Sequence, residues 1–305
     1  MSFKTQTGRR PDLEAIQVNS PEGYIGNRIY PVLSQHEKSG LIYYKTLTAD
    51  GAAQTGRALG SAPTRTLLAD TNTTATCTEL IKRYGVAKSE VKNCGGIEAA
   101  DRLGGMASKR SVLRGLEDLQ AAAFLDATSY GAAEDISGGI IDGLITAAKA
   151  IKRYHGKLAF VCSTTVYQWM IAQDEIKALL TRSFSNLSAE QVMSLSPEVF
   201  RAMLQGIFKF DEVLIGDDDH WSIATQEDAA GVVKLPPPEE FSHKMDPVLG
   251  KTALYLPDGD QPFEIESFYN DDDKVNNYDC TSWKDIKEFN SGAKKIVKGM
   301  GTPST

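Results

Sequence analysis

The stretch Thr48–Thr76 most restricts what this chain can fold into. It is built largely from Thr, Ala and Gly, carries Arg57 and Arg65, and holds almost no large apolar residue besides Leu59, Leu67 and Leu68. A run of this kind has too little apolar surface to pack on itself. A long loop of that composition inside a compact domain is uncommon, so it is expected to be functional or to be ordered by a partner. Leu41-Ile42-Tyr43-Tyr44 precedes it and Thr78–Val86, with Leu80, Ile81 and Tyr84, follows it. Both are rich in strand formers, and two strands flanking a polar tip predict a long hairpin projecting from the body.

The rest of the chain is ordered around that hairpin. Residues 1–27 are polar and dotted with Gly and Pro, which reads as an extended arm that neighbours must hold. The main helix is predicted over Ile97–Asp126, where Leu113, Leu116, Leu119 and Ala123 recur at spacings of three and four. Gly104-Gly105 weakens its first half, at a cost of about 1 kcal/mol for each interior glycine. A second helix is expected over Ser137–His155, with Ser137 as N-cap and Gly156 as stop signal. Lys157–Ser163 reads as a buried strand, Thr164–Leu180 as a helix, and Ser196-Pro197 as the opening of another helix reaching about Gln205. Phe210–Ile215, Trp221–Ala224, Thr252–Leu256, Phe263–Tyr269 and Val275–Trp283 read as strands. The irregular alternation of helices and strands predicts an α+β fold, without internal repeats.

The chemistry expected from the sequence is sparse. There is no phosphate-binding glycine motif, no HExxH, and of GxSxG only a fragment, Thr128-Ser129-Tyr130-Gly131. His36, His155, His220 and His243 stand apart from one another, and so do Cys77, Cys94, Cys162 and Cys280, which form no CxxC pair. The four thiols are expected to be reduced and structural. Asp217-Asp218-Asp219 and Asp271-Asp272-Asp273 lie at predicted turns, where Asp bonds the local backbone, so they are read as turns rather than metal ligands. No catalytic residue, cofactor or metal is expected. A formal net charge of -7 argues against a surface that is mainly a nucleic-acid glove. No secretory signal and no segment of membrane-spanning length is seen.

The order of these parts resembles a known family. An arm, a strand pair carrying a long polar loop, a long spine helix, an α/β insert and a strand-rich return are similar to the HK97-like fold of tailed-bacteriophage major capsid proteins. The residues that carry the resemblance are Ile29-Tyr30-Pro31-Val32-Leu33 with Ser39-Gly40-Leu41-Ile42-Tyr43-Tyr44-Lys45, Glu117 in Leu116-Glu117-Asp118-Leu119, and Leu158–Ser163 followed by Val166-Tyr167-Gln168-Trp169-Met170.

The resemblance implies an N-terminal arm over residues 1–29 and an extended loop over 36–84. It implies a peripheral domain formed by 30–35, 85–128 and 251–305, and an axial domain over 129–250. It also implies self-assembly as hexamers and pentamers into an icosahedral shell, made in the host bacterial cytoplasm. Such a shell encloses double-stranded DNA without sequence-specific binding and works with portal, scaffolding or cement proteins. A scaffold fused ahead of the arm is not expected. Candidate subunit-contact residues are Tyr43, Tyr44, Arg57, Arg65, Leu67 and Leu68. Two other readings stay open: an encapsulin-like compartment with the same fold, and a soluble α+β enzyme using one of the isolated histidines.

Overall fold

The computed structural model describes residues 3–21, 23–46, 69–152, 154, 156–183, 197–222, 228–235, 249–257 and 261–300. The chain divides into two compact units. The first combines residues 1–40, 74–121 and 251–287, and the second 41–73, 122–250 and 288–305.

The first unit is a sheet covered by the arm and by most of the long helix. Strand β1 (Gly8–Arg9) leads into the short helices α1 (Pro11–Glu14) and α2 (Gly26–Ile29) and then β2 (Val32–Gln35). The ribbon strands β3 (Ser39–Thr46) and β4 (Ala69–Thr76), most of whose residues are grouped with the second unit, pair only with each other among the described residues. Next come β5 (Thr78–Ala87), α3 (Lys88–Asn93) and the long helix α4 (Ile97–Phe124). After the second unit, the chain returns as β10 (Gly250–Tyr255), β11 (Glu264–Asn270) and β12 (Val275–Glu288). The six-stranded sheet runs β1-β11-β12-β10-β2, with β5 also antiparallel to β12. Its core joins Leu13, Val86, Val91, Ala100, Val112, Ile265, Tyr278 and Cys280.

The second unit is a five-stranded sheet, β6-β13-β9-β7-β8, with helices packed on it. Its strands are β6 (Glu134–Asp135), β7 (Lys157–Ser163), β8 (Glu212–Gly216), β9 (Ala230–Leu235) and β13 (Lys294–Lys298). Its helices are α5 (Ala127–Gly131), α6 (Ile140–Ala150), α7 (Thr164–Ala172), α8 (Asp174–Ser183), α9 (Pro197–Phe208) and α10 (Asp218–Trp221). The core runs through Leu144, Ile151, Phe160, Val166, Met170, Leu204, Val232 and Val297. Ser163 caps α7 by accepting the Val166 N–H. Gly156 has φ +108, and a side chain there would collide with the Leu235 carbonyl, so the turn into β7 needs glycine.

The α+β class, the long helix and the strand at 157–163 agree with the sequence reading, and several details differ. Helix α6 starts at Ile140 after Gly139, so Ser137 is not its cap. The predicted helix over 164–180 is two helices, broken at the extended Gln173. Trp221 ends a helical turn instead of opening a strand. The arm does not wait for neighbours: β1 is hydrogen-bonded to β11, and residues 3–16 lie on their own unit. The segment from Glu288, expected with the peripheral portion, belongs to the second unit because β13 pairs antiparallel with β9.

Candidate functional site

The inner face of α4 is the organising surface of the first unit, and it is not the leucine stripe that the periodicity suggests. Leu119 is exposed and Leu113 only half-buried, whereas Ala100, Asp101, Gly104, Gly105, Ser108, Lys109, Val112, Leu116, Glu117 and Gln120 are buried. These positions recur every three or four residues, as an inward face must. The face is small and polar because it is zipped to the arm by hydrogen bonds.

From one end of the seam to the other, the charged groups are paired, and Gln120 Oε1 is a buried acceptor without a hydrogen bond. The Arg10 guanidinium donates to Asp101 Oδ2 at 2.8 Å and to Asp12, and Asp101 also accepts the Tyr278 hydroxyl. The hydrogen bond to Asp12, with that to Asp101, raises the Arg10 pKa further. Burial, reinforced by Asp101, pushes the Tyr278 phenol up. Lys109 Nζ donates to the carbonyls of Glu14 at 2.6 Å and Ile16 at 2.8 Å, and its burial lowers its pKa. Glu14 itself accepts the Ile265 N–H and the Arg9 guanidinium. Glu117 Oε1 accepts the backbone N–H groups of Ile25 at 2.6 Å and Gly26 at 2.8 Å, at the start of α2. Gln120 Nε2 donates to Asn27 and to Thr252. Buried polar groups cost free energy unless paired, so this pairing lets a largely polar arm dock with only a few apolar anchors such as Leu13, Ile25 and Ile29.

A second polar node sits at the C-terminal end of α4, within the second unit. Lys294 Nζ donates to the carbonyls of Ala123 and Phe124 and to the carboxylates of Asp126 and Glu288. A cation there complements the exposed carbonyls that end a helix. Burial would raise the Asp126 pKa, but hydrogen bonds from Ser129 and Lys294 outweigh it and hold the carboxyl at about 2. Burial pushes the Glu288 carboxyl up, against the pull of Lys294.

Of the candidate contact residues, Tyr43 and Tyr44 stand on β3 of the ribbon. Arg57, Arg65, Leu67 and Leu68 lie outside the described residues. The acidic triplets have local partners. Asp217 caps α10, and Asp218 accepts the backbone and hydroxyl of Thr165. Asp271 pairs with Lys4 at 2.8 Å, clamping the arm, and Asp273 accepts from Asn270 in the β11–β12 turn. Among the described residues, no group of three or more His, Cys, Asp or Glu is placed to hold a metal ion. His36 is exposed in the β2–β3 turn and His220 is buried on α10, while His155 and His243 lie outside the described residues. Cys77, Cys162 and Cys280 are buried free thiols and Cys94 is half-buried. No described helix is long and apolar enough to cross a membrane.

No model of a known protein family matches this chain, and no curated protein matches it by sequence. Its fold, however, is found in solved structures. A phage-related protein from Bordetella bronchiseptica is 15% identical, with a TM-score of 0.66 over 98% of this chain and 99% of that one. The capsid of cyanophage P-SCSP1u is 10% identical, with a TM-score of 0.54 over 93% and 91%. A virus-like particle from Pyrococcus furiosus is 10% identical, with a TM-score of 0.52 over 88% and 90%. The chain has the HK97-like capsid fold: the arm, the β3–β4 ribbon, the spine helix α4 and the two units are its parts.

Proposed function

We propose that this chain is the major capsid protein of a tailed phage, assembling in many copies into an icosahedral shell around double-stranded DNA. The observation that carries the proposal is end-to-end coverage. A cyanophage capsid chain aligns with 93% of this chain and is itself covered over 91%. The sequence adds support, since no nucleophile, metal-ligand or cofactor motif was found in it. In this reading the chain acts without catalysis, in the virion, and its partners are copies of itself. Large contacts between copies, closed by symmetry, are how such a container forms. DNA is enclosed by a wall of net negative formal charge, without sequence-specific contacts.

Likeness to a virus-like particle favours one second reading, a compartment that encloses something other than a genome. Electron microscopy of the purified protein tests both. Uniform closed shells, tubes or capsomer rings support a shell subunit, and small monodisperse particles at every concentration refute it. Nuclease-protected double-stranded DNA in particles from infected cells separates phage shell from compartment.

A further inference from the structure

Among the described residues, strand β5 has a partner on one side only. It runs antiparallel to β12 from Thr78↔Lys284 to Ala87↔Val275, and no described strand pairs with its other edge. An open edge ten residues long presents unpaired N–H and C=O groups, which single-copy proteins usually blunt with proline, a bulge or a covering element. Here β5 contains no proline and is exposed from Glu79 to Gly85 apart from half-buried Leu80. Ile81 is 55% exposed and Tyr84 39% exposed, both large apolar side chains next to that edge.

The order of side chains along β5 is self-complementary. Odd positions share one face of the sheet and even positions the other. Two antiparallel copies related by a two-fold axis normal to the sheet can only pair positions of the same face. Centred on Ile81, such a pairing sets Ile81 against Ile81 and Glu79 against Arg83 twice. On the other face it sets Lys82 against Leu80 and Tyr84 against Thr78. Opposite charges and apolar pairs directly across a ladder are favourable, and like charges are not. Recentring by one residue, on Lys82, puts Lys82 against itself and leaves Glu79 facing Gly85. Recentring on Leu80 places Glu79 against Ile81 and Arg83 against Cys77. Arg83 is already held at 2.7 Å by Asp279 of β12. In the paired form its exposed side would meet Glu79 of the second copy, completing a row of alternating charge.

We propose that the open edge of β5 pairs antiparallel with β5 of a second copy of this chain, about a two-fold axis through Ile81. The inference stands independently of what the shell encloses and does not require a shell at all.

Cysteine crosslinking of the full chain tests it. The Ile81→Cys variant, in a Cys94→Ser background, brings two thiols across the axis, within reach of a disulfide once the strands pair. Mild oxidation should convert most of the subunit to a linked dimer, whereas Leu41→Cys, comparably exposed at 53%, should stay monomeric on the same gel. Adding Glu79→Lys to Ile81→Cys should slow dimer formation about tenfold, through two like-charge oppositions. Absence of the dimer in both free and assembled protein, or equal linking of Leu41→Cys, overturns the pairing. Closed shells without the Ile81 crosslink would sink this inference and leave the shell reading standing, and a crosslinked dimer that never forms shells would do the reverse.

Discussion

Gly104 of α4 lies against the ring of Tyr278 of β12, so close that a β-carbon at position 104 would overlap the ring carbons. The glycine pair that weakens the helix by propensity is what lets it settle on the sheet: Gly105 likewise faces Leu13 of the arm. Replacing Gly104 by Ala should therefore destabilise the subunit by about 1–3 kcal/mol, because overpacking outweighs the gain of about 1 kcal/mol in helix propensity. Gly115 is the internal control. Nothing stands within 4 Å of a β-carbon there, so Gly115→Ala should stabilise. Chemical denaturation of both variants decides the matter, and equal shifts in the same direction would show that the ring contact carries no weight.

The same contact explains what could and could not be read from the sequence. Regular apolar spacing made α4 legible, and β7 was legible because Leu158–Cys162 is a continuous apolar run. The buried face of α4 is not legible in the sequence because its inward residues include Asp101, Ser108, Lys109, Glu117 and Gln120, which resemble solvent-facing positions until their partners are known. The docked arm was hidden for the same reason, since Arg10 and Glu14 anchor it with charge. Strands β9 and β13 are hard to read because each offers only one β-branched pair, Val232-Val233 and Ile296-Val297, beside a lysine. In Lys294–Lys298, lysines flank Ile296 and Val297, and the Lys294 stem is buried only because its ammonium reaches the end of α4.

Glu117→Ala should cost roughly 2–4 kcal/mol, because it leaves the Ile25 and Gly26 N–H groups without their charged acceptor in a buried seam. Trypsin should then cut at Arg28 faster in the variant than in the parent subunit at the same fraction folded. Unchanged stability would mean that water replaces the carboxylate freely.

Lys284 should make stability rise between neutral and alkaline pH. Burial pushes its ammonium down to about 8 from 10.5. Below pH 8 both folded and unfolded chains hold the proton, and the full burial penalty is present. Between pH 8 and 10.5 the folded lysine is the first to lose its proton, so this group's contribution improves as pH rises. Lys284→Met removes the penalty and should stabilise the protein at pH 7 by roughly 3 kcal/mol, at about 1.4 kcal/mol per pKa unit. The difference from the parent should shrink as pH climbs through that window, and a constant difference would show that packing alone is responsible.

At the other end of the pH scale, Asp126 should contribute to acid unfolding. Its folded pKa of about 2 lies below the ordinary 3.8, so its stabilisation is present above 3.8 and is lost as pH falls from there toward 2. Asp126→Asn should flatten the stability profile in that window, while Lys294→Met should lower stability across the whole range by several kcal/mol, since it strands two carboxylates and two helix-end carbonyls. Parallel acid titrations of the two variants, followed by circular dichroism, separate these effects. An unaltered acid limb in Asp126→Asn would exclude the carboxylate.

Arm docking gives the last expectation, and it reverses what the polar composition of residues 1–27 suggests. Arg9 and Arg10 stand where β1 pairs with β11, Arg9 is bonded to buried Glu14, and Arg10 is bonded to buried Asp101. A protease needs several residues of extended, accessible chain, so cleavage after Arg9 requires this seam to open first; the Arg10–Pro11 bond is not a trypsin site. In the unassembled subunit, trypsin should therefore cut after Arg9 no faster than at Lys109, which is buried in α4 beneath the same arm. Arg10→Ala removes the bond to Asp101 and leaves that carboxylate without its cation, so cleavage at Arg9 should rise by about tenfold or more, in line with a cost above 1.4 kcal/mol for breaking a buried pair. The measurement is mass spectrometry of brief digests of parent and variant. Rapid cutting after Arg9 in the parent would mean that the seam is open in solution and that the arm is held only by other copies.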